Sequence, residues 1–469
     1  MPVLLAECKQ LQSAVRPEVA TIDTEQASRF PLALRRLQLG LVDRDAEVRL
    51  LLLAALCGEH LLLIGPPGTA KSELGRRLSA LVQGTYFERL LTRFSVPEEL
   101  FGPLSMKSLE NDIYERQTAG YLPEASVAFV DEIFKANSAI LNSLLTILNE
   151  RLFDNGAERY PVPLICMVGA SNELPESEEL DALYDRFLIR REVAPVSAES
   201  LRELLDFART MGSVDYNDES EDPSTGFALD LDELRGLRLK ALQAVTLPEH
   251  IVDLLIDLRD YLQQKCEPPV YVSDRRMVKV VSLLRIAAYT SGRTTVSEID
   301  CLLLQHTLWQ RPEQAEIIRE WVLHRMAQDK DATQIQYLFT GLFQRTCHAN
   351  ASPELKPTLL NEVRSLRQVV MQQLRDVETN PMTTGKLFAS RKEIGQGEDS
   401  HASLWLSEED CVRAKQSLVP LLKKSQTALE AQLEELLMLE VALEKDTPTF
   451  VLAEIWPEKW SDLIRSYPL

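Results

Sequence analysis

A lysine and a serine end a short Gly/Pro-rich segment that follows four aliphatic residues. The segment consists of Gly65, Pro66, Pro67, Gly68, Thr69, Ala70, Lys71 and Ser72. Small residues allow consecutive backbone N–H groups to turn inward around an anion, and a helix that begins at Lys71 adds the positive end of its dipole. The spacing therefore predicts a phosphate-binding loop, with Lys71 on the β- and γ-phosphates of a nucleotide and Ser72 on Mg²⁺.

One position departs from the usual pattern G-x-x-x-x-G-K-[ST], because Ala70 stands where the second glycine is expected. An alanine carries a Cβ atom, so we expect this site to tolerate Ala70 only if its φ is negative. The alternative for the whole segment is a plain Gly/Pro turn between a strand and a helix. The Lys-Ser pair at the correct offset argues against that alternative.

Three further polar residues follow buried strands: Asp131, Glu132 and Asn172. In a loop that hydrolyses its nucleotide, Asp131 holds the hydration shell of Mg²⁺, Glu132 orients and polarises the attacking water, and Asn172 binds that water or the γ-phosphate. Each has a simpler alternative, since Asp-Glu often forms a helix N-cap and Asn often occupies a turn. The phosphate-binding loop favours the catalytic interpretation.

Hydrolysis also requires positive charge close to the transition state. An arginine that supplies this charge raises the rate by a factor of roughly 10³–10⁵. The candidates are Arg151, Arg186, Arg275 and Arg276. A single arginine is more often a surface residue with a solvated head group. The sequence does not rank these four.

The elements that position these residues alternate between strands and helices. Predicted strands cover 61–64, 86–91, 126–130 and 164–169, and predicted helices cover 73–84 and 137–151. Such alternation predicts a mostly parallel sheet covered on both faces. Because ligands bind beyond the carboxyl ends of parallel strands, the phosphate-binding loop, Asp131–Glu132 and Asn172 are predicted to converge at one edge.

Short signals lie between these elements. Ser95 and Glu98 have the spacing of a capping box, with Pro97 in the first turn of a helix. Residues 114–123 read as an alternating ribbon, and Asp154-Asn-Gly156 predicts a hairpin turn between strands 151–153 and 158–162.

The second half of the chain is predicted to be helical. Long helices are expected at 313–346, 355–378 and 407–445, while 379–406 look loop-like. Leucines repeat every seven residues at Leu422, Leu429, Leu436 and Leu443. The companion positions are mixed, which favours a helical hairpin or bundle over an extended coiled-coil dimer.

Composition limits the partners and the compartment. The 469 residues carry a formal charge of −20, which makes nucleic acid an unlikely main partner. The 7 cysteines are scattered without a C-x-x-C pair, as expected for free thiols in a reducing compartment. We find no apolar run of about 18 residues, so we predict no membrane span and a cytoplasmic location.

Several motifs together resemble the MoxR branch of AAA+ ATPases, and within it the RavA family of regulatory ATPases. They are Gly65–Ser72, Phe129–Ile133, Asn149–Arg151, Gly169–Asn172, Tyr184–Phe187 and Tyr271–Arg276. The ribbon at 116–121 is similar to the helix-2 insert of that clade, and the hairpin around Asn155 to its pre-sensor-1 insert. The segment Trp456–Trp460 resembles the closing segment of the RavA family.

The resemblance implies a role for each matched residue. Lys71 and Ser72 bind phosphate and Mg²⁺, and Asp131 and Glu132 are the Walker B pair. Asn172 becomes sensor 1, Arg275 the sensor 2 arginine, and Arg186 the arginine finger that reaches the ATP of a neighbouring subunit in a hexameric ring. The segment Val42–Glu47 flanks the adenine. The branch commonly carries alanine at the position of Ala70.

The resemblance also implies the architecture. It is an α/β AAA+ (P-loop) core with a parallel sheet, followed by an α-helical lid and a C-terminal α-helical hairpin or bundle. The predicted boundaries are an N-terminal helical segment at 1–40 (broken at Pro17 and Pro31), the core at 41–212, an acidic linker and connecting helix at 213–244, the lid at 245–311, and the C-terminal helical domain at 312–469.

The RavA family inserts a β-rich domain into its C-terminal helices to contact a lysine decarboxylase, and residues 379–406 are too short for it. A decarboxylase partner is therefore not expected, whereas a companion protein with a von Willebrand factor A domain is. The leading hypothesis is a ring-forming, Mg²⁺-dependent ATPase that remodels or matures protein clients, including by metal insertion. The alternatives are a magnesium-chelatase-like motor subunit and a nucleotide-gated scaffold.

Overall fold

The computed structural model describes residues 24–175, 177–211, 229, 231–327, 332–349, 353–379 and 403–466. The chain divides into two compact units, each described by itself. The first consists of Met1–Arg319 with Ser403–Glu408, and the second of Glu320–Ala402 with Glu409–Leu469. Among the described residues, no helix combines the length and the apolar character that a membrane crossing requires.

The first unit contains a central sheet, a hairpin and surrounding helices. Its strands are β1 Leu61–Ile64, β2 Tyr86–Leu90, β3 Val127–Asp131, β4 Leu152–Asn155, β5 Glu158–Pro161, β6 Cys166–Ser171 and β7 Ile189–Glu192. Its helices are α1 Thr24–Gln38, α2 Asp45–Cys57, α3 Lys71–Val82, α4 Pro97–Phe101, α5 Met106–Leu109, α6 Ser138–Glu150, α7 Glu178–Tyr184, α8 Ala198–Met211, α9 Leu231–Ala244, α10 Glu249–Gln264 and α11 Asp274–Thr290.

The helices that follow are α12 Glu313–Ala327, α13 Ala332–Ala349, α14 Lys356–Thr379, α15 Glu408–Glu444, α16 Thr449–Ile455 and α17 Pro457–Ser466. The long helix expected at 313–346 is thus described as two helices, α12 and α13. Residues 328–331 between them, and the acidic stretch 213–223, lie outside the described residues.

The predicted parallel sheet is confirmed. Five strands pair in the order β2-β3-β6-β1-β7, all parallel, with Leu61 opposite Val168 and Ile64 opposite Ser171. The residues of β1 and β6 are all buried, as expected for central strands covered on both faces. This order places the carboxyl ends of β3, β6 and β1 side by side.

Strand β7 was not predicted, because its sequence Ile-Arg-Arg-Glu lacks an apolar run. The strand can join the sheet because both of its arginines have hydrogen-bond or ion-pair partners. The buried Arg190 donates to the carbonyl oxygens of Tyr184, Phe187 and Trp309, and Arg191 pairs with Glu47 at 3.1 Å. A single sequence shows neither set of partners.

The segment around α4 differs from the prediction. Val96 occupies the N-cap without a side-chain hydrogen bond, so Ser95 and Glu98 do not form a capping box. Instead Glu98 pairs with Arg116 at 3.1 Å. The ribbon predicted at 114–123 is reduced to one antiparallel bridge between Leu104 and Arg116, followed by a turn and a short 3-10 helix. The predicted hairpin is present as β4 and β5.

One further prediction is corrected in the first unit, and another is extended. Helix α1 continues through Pro31, where a break was expected, because an internal proline can be accommodated at the loss of one backbone hydrogen bond. The described part of the predicted loop, 403–406, has neither helix nor strand, as expected, and it is buried around Trp405. The indole N–H of Trp405 donates to Thr290 Oγ1 at 2.8 Å, and its ring lies 6.4 Å from that of Phe30.

The second unit has an apolar helical core of its own. Leu429, Leu436 and Leu443 of the seven-residue repeat are buried against α14 and the rings of α13. Trp456 packs edge-to-face on Phe343, with 5.5 Å between the ring centroids. The leucine repeat therefore contributes to an intramolecular core, as the predicted helical bundle requires.

Candidate nucleotide-binding site

The turn between β1 and α3 has the backbone that a phosphate-binding loop needs. Gly65 N–H donates to Ser171 O at 3.0 Å, which joins the start of the loop to the end of β6. A Cβ at Gly65 would lie 2.2 Å from Val193 O, so only glycine fits there. Gly68 has a φ of +80°, which also favours glycine.

The structure contradicts the expectation of a negative φ at Ala70. This residue is the N-cap of α3, with φ +62° and ψ +24°, in the left-handed region. The Cβ penalty in that region is about 1–2 kcal/mol, which a well-anchored loop can sustain. Ala70 therefore occupies the conformation that the missing glycine would have adopted.

Lys71 lies inside the loop. Its ammonium group donates to Gly65 O at 2.6 Å and to Pro66 O at 2.8 Å, and Thr69 Oγ1 donates to Pro66 O at 3.0 Å. Burial lowers the pKa of Lys71, and the charges of Asp131 and Glu132 oppose that shift. The loop thus holds a positive charge close to two carboxylates.

The acidic residues lie at the carboxyl ends of the neighbouring strands. Asp131 ends β3, and its Oδ1 accepts the backbone N–H of Glu132 at 3.0 Å. Glu132 has a left-handed φ of +51°. One oxygen of its carboxylate accepts Asn172 Nδ2 at 2.7 Å, and the other lies 3.2 Å from Lys135 Nζ. Asn172 and Glu132 are therefore in direct contact, and Lys135 is a neighbour that the sequence did not identify.

The donor groups at this edge fit a magnesium nucleotide. Backbone N–H groups of a Gly-rich turn and the Lys71 ammonium suit phosphate, and a carboxylate with a hydroxyl is a set that Mg²⁺ prefers. Ser72, in the first turn of α3, and Asp131 are the residues that would hold the ion.

Arg186 and Arg275 form a separate pair. Burial lowers the pKa of Arg186, and the charge of Arg275 lowers it further. Arg186 lies 3.6 Å from Asp185, and its buried Nε has no hydrogen-bond partner. Arg275 also contributes to lowering the pKa of His60, which precedes β1 at the end opposite the phosphate-binding loop. The predicted catalytic residues thus form two groups: Glu132 with Asn172, and Arg186 with Arg275.

The other two arginine candidates are fully engaged in the fold. The buried Arg276 donates to the carbonyl oxygens of Thr307, Phe187 and Leu188, and burial lowers its pKa to about 9. Arg151 donates to Gly58 O at 2.7 Å, and burial lowers its pKa to about 10. Neither side chain is available to a neighbouring subunit, which leaves Arg186 and Arg275 as candidates.

Family comparisons agree with this geometry. Residues 28–235 match the family model described as the MoxR domain of the MoxR-vWA-beta-propeller ternary systems, and residues 250–322 match an AAA lid domain. The chain belongs to the MoxR family of AAA+ ATPases. The narrower likeness to RavA stays a prediction.

Individual relatives of this MoxR-family chain fall into two groups. An uncharacterised protein of Methanocaldococcus jannaschii is 43% identical over 57% of this chain and 67% of its own length. The chaperone MoxR1 of Mycobacterium tuberculosis is 27% identical over 35% of this chain and 44% of its own length.

A solved structure supports the fold of this MoxR-family chain. It comes from Cytophaga hutchinsonii and is described as a candidate ATPase. Its TM-score is 0.52 at 18% identity, covering 64% of this chain and 95% of that one. At this identity the likeness concerns the fold alone.

Proposed function

We propose that this MoxR-family protein hydrolyses ATP to ADP and phosphate in a Mg²⁺-dependent reaction. The observation that carries the proposal is the 2.7 Å contact between Asn172 and Glu132, at strand ends adjacent to the loop that holds Lys71. A phosphate-binding loop alone requires only that a nucleotide bind. A carboxylate oriented by an amide beside it is what hydrolysis adds.

The residues of the loop bind the nucleotide. Gly65, Pro66, Pro67, Gly68, Thr69, Ala70, Lys71 and Ser72 surround the phosphates. Ser72 and Asp131 would hold Mg²⁺, which would neutralise charge on the phosphate oxygens. Glu132 accepts a hydrogen bond from the attacking water, and Asn172 keeps the Glu132 carboxylate in the orientation that this requires.

Arg186 and Arg275 act on the ATP of a neighbouring subunit. Both side chains are partly buried rather than fully enclosed, and the motif matches that assign Arg186 as the arginine finger and Arg275 as the sensor 2 arginine support this proposal. The Arg186 side chain is 21% exposed although its Nε is buried, so its terminal guanidinium nitrogens are the donors for a phosphate oxygen. This arrangement requires a closed ring, for which we propose a hexamer.

Membership of the MoxR family supports a broad biological role without naming a client protein. We propose a cytoplasmic, chaperone-like factor that remodels or matures protein complexes, including by metal insertion. The family description and the relative named as a chaperone support this role and a von Willebrand factor A-domain partner. A magnesium-chelatase-like subunit remains the second candidate within the same fold, whereas the Asn172–Glu132 contact argues against an inactive scaffold.

Phosphate release by the full-length chain tests the reaction. We expect Glu132→Gln to lower kcat by about 10²–10⁴ while ATP still binds, because only the polarisation of water is lost. Glu110→Gln, at an exposed site in the same unit, is the matched control and should leave turnover unchanged. If the wild type shows no Mg²⁺-dependent turnover at any protein concentration, the proposal is wrong.

A subunit-mixing experiment tests the ring. Arg186→Ala alone should lose roughly 10³–10⁵ in kcat. Mixing it with Glu132→Gln should restore turnover, because an interface can then combine an intact Glu132 with an intact Arg186. No recovery on mixing, together with a monomer in light scattering, would remove the basis for action in trans.

A further inference from the structure

Arg44 is a buried arginine beside the phosphate-binding loop. It precedes α2 and is only 4% exposed. Its Nε donates to Thr69 O at 3.1 Å, one terminal nitrogen to Ala194 O at 3.0 Å, and the other to Asp43 O at 2.6 Å. One guanidinium group thus joins three segments that are distant in sequence.

Two of these segments are the loop itself and the chain that packs against it. Thr69 immediately precedes Ala70, whose left-handed conformation starts α3. Ala194 follows Val193, whose N–H donates to Ile64 O at 2.7 Å and whose carbonyl oxygen closely approaches Gly65. Arg44 therefore connects the last part of the loop to the chain that packs against its first part.

The planar geometry of the guanidinium group is essential to this arrangement. Five N–H donors in a fixed fork can serve three carbonyl oxygens at once, which an ammonium group on a flexible stem does less well. A left-handed alanine persists only where its surroundings determine the backbone, and the hydrogen bond to Thr69 O is one such constraint.

The charge of Arg44 also acts at the site. It is one of the charges that influence Lys71, together with Asp131 and Glu132. A second cation close to the Lys71 ammonium raises the local positive potential, which favours a polyphosphate.

We infer that Arg44 is a positioning residue, which holds the phosphate-binding loop in its anion-binding conformation and adds to its positive potential. The inference rests on the proposed function, because the bound group is the polyphosphate of ATP or ADP. It differs from a contribution to folding alone in one respect: replacing Arg44 must weaken nucleotide binding by protein that is still folded.

The test measures the dissociation constant of MgADP, by calorimetry, for the full-length chain and three variants. Arg44→Lys keeps the charge and loses the fork, Arg44→Gln keeps two donors and loses the charge, and Arg44→Ala loses both. We expect Arg44→Ala to raise the constant about 10- to 100-fold, with smaller increases for the other two. The melting temperature without nucleotide is measured in parallel.

Arg49→Gln is the matched control. Arg49 lies one turn further along, pairs with Asp45 at 2.8 Å and donates to Leu404 O, without a contact to the loop among its described hydrogen bonds. Its replacement should lower the melting temperature and leave the MgADP constant within about twofold.

Each outcome bears on the inference. If the Arg44 variants fold and bind MgADP as the wild type does, or if all three fail to fold, the inference is overturned and Arg44 serves the fold alone. If the wild type itself does not bind MgADP, the proposed function fails instead, so the two failures are distinguishable.

Discussion

Strand β1 has a group of polar and charged residues at each end, and the group at the carboxyl end includes an exposed side chain. At the amino end, His60 is buried, its Nδ1 accepts Met167 N–H at 3.0 Å, and Glu59 pairs with Lys279 at 2.5 Å. At the carboxyl end, Asn172 is exposed, whereas Glu132 is partly buried, as Glu59 and Lys279 are. Both groups contain strong ionic contacts.

We infer from this difference that the amino-end group stabilises the fold and that the carboxyl-end group serves the proposed reaction. At the amino end, Arg151 and the pair Glu59–Lys279 are bound to partners within the fold. At the carboxyl end, Glu132 accepts the amide of the exposed Asn172, beside the loop that holds Lys71. We therefore expect substitutions of His60, Arg151 or the Glu59–Lys279 pair to change stability, and substitutions at the carboxyl end to change nucleotide chemistry.

Replacing Arg151 by methionine tests the amino end with the largest expected effect. The change leaves the partly buried Gly58 O without its donor and removes the group that contacts the buried His60, so we expect the free energy of unfolding to fall by roughly 3 kcal/mol. The affinity for MgADP should stay within about twofold at a temperature where the variant is folded. Chemical denaturation and calorimetry measure the two quantities.

Arg159→Met provides the control for this change, because Arg159 lies on the adjacent hairpin and is exposed. It should alter stability by no more than about 0.5 kcal/mol. A loss of MgADP binding in folded Arg151→Met would show that residues at the amino end of β1 also affect nucleotide binding. That result would contradict the proposed difference between the two ends.

His60 makes a smaller contribution to the free energy of unfolding, and this contribution depends on pH. Burial lowers its pKa well below 6.5, and the charges of Arg151 and Lys279 act in the same direction. The unfolded chain therefore binds a proton that the native imidazole does not. The stability that this gives is present above pH 6.5 and is lost as the pH falls below that value, by up to about 1.4 kcal/mol per pH unit.

Denaturation at pH 7.5, 6.5 and 5.5 measures this slope. In His60→Gln the contribution disappears, so the stability difference from the wild type should shrink as the pH falls from 6.5 to 5.5. His250→Gln, at an exposed position, should keep the wild-type slope. Equal slopes in all three proteins would mean that His60 is not neutral in the fold.

The sequence predicted the local features of the molecule well. The motif Gly65–Ser72 and the apolar strands β1 and β3 depend on neighbouring residues, and the structure has them at or within one residue of the expected positions. The sequence could not rank Arg151 against Arg186 as candidate catalytic arginines, because their difference in burial arises from contacts with distant parts of the chain. Arg44 was missed for the same reason, since its partners Thr69 and Ala194 are remote in sequence.

The sequence also did not reveal which isolated segments are buried or paired in the fold. Trp405 lies in a stretch whose composition predicts a loop, yet its indole is held by Thr290. Strand β7 contains two arginines whose partners are backbone carbonyls and Glu47. Tertiary contacts thus stabilise a strand at β7 that propensity alone does not predict, and they bury a loop at Trp405 whose secondary structure was predicted correctly.

Ala70 tests the carboxyl end with the smallest expected effect. Glycine at this position removes the Cβ penalty of a left-handed residue and adds entropy to the unfolded chain, and the two nearly cancel. Ala70→Gly should therefore change the free energy of unfolding by less than about 1 kcal/mol and the MgADP constant by less than about twofold. Ala70→Val should instead weaken MgADP binding, because a β-branched residue disfavours the left-handed region and the loop must change its conformation to relieve it. Calorimetry on both variants decides the point, and equal affinities for Val and Gly would show that the loop does not need the φ of +62° seen at Ala70.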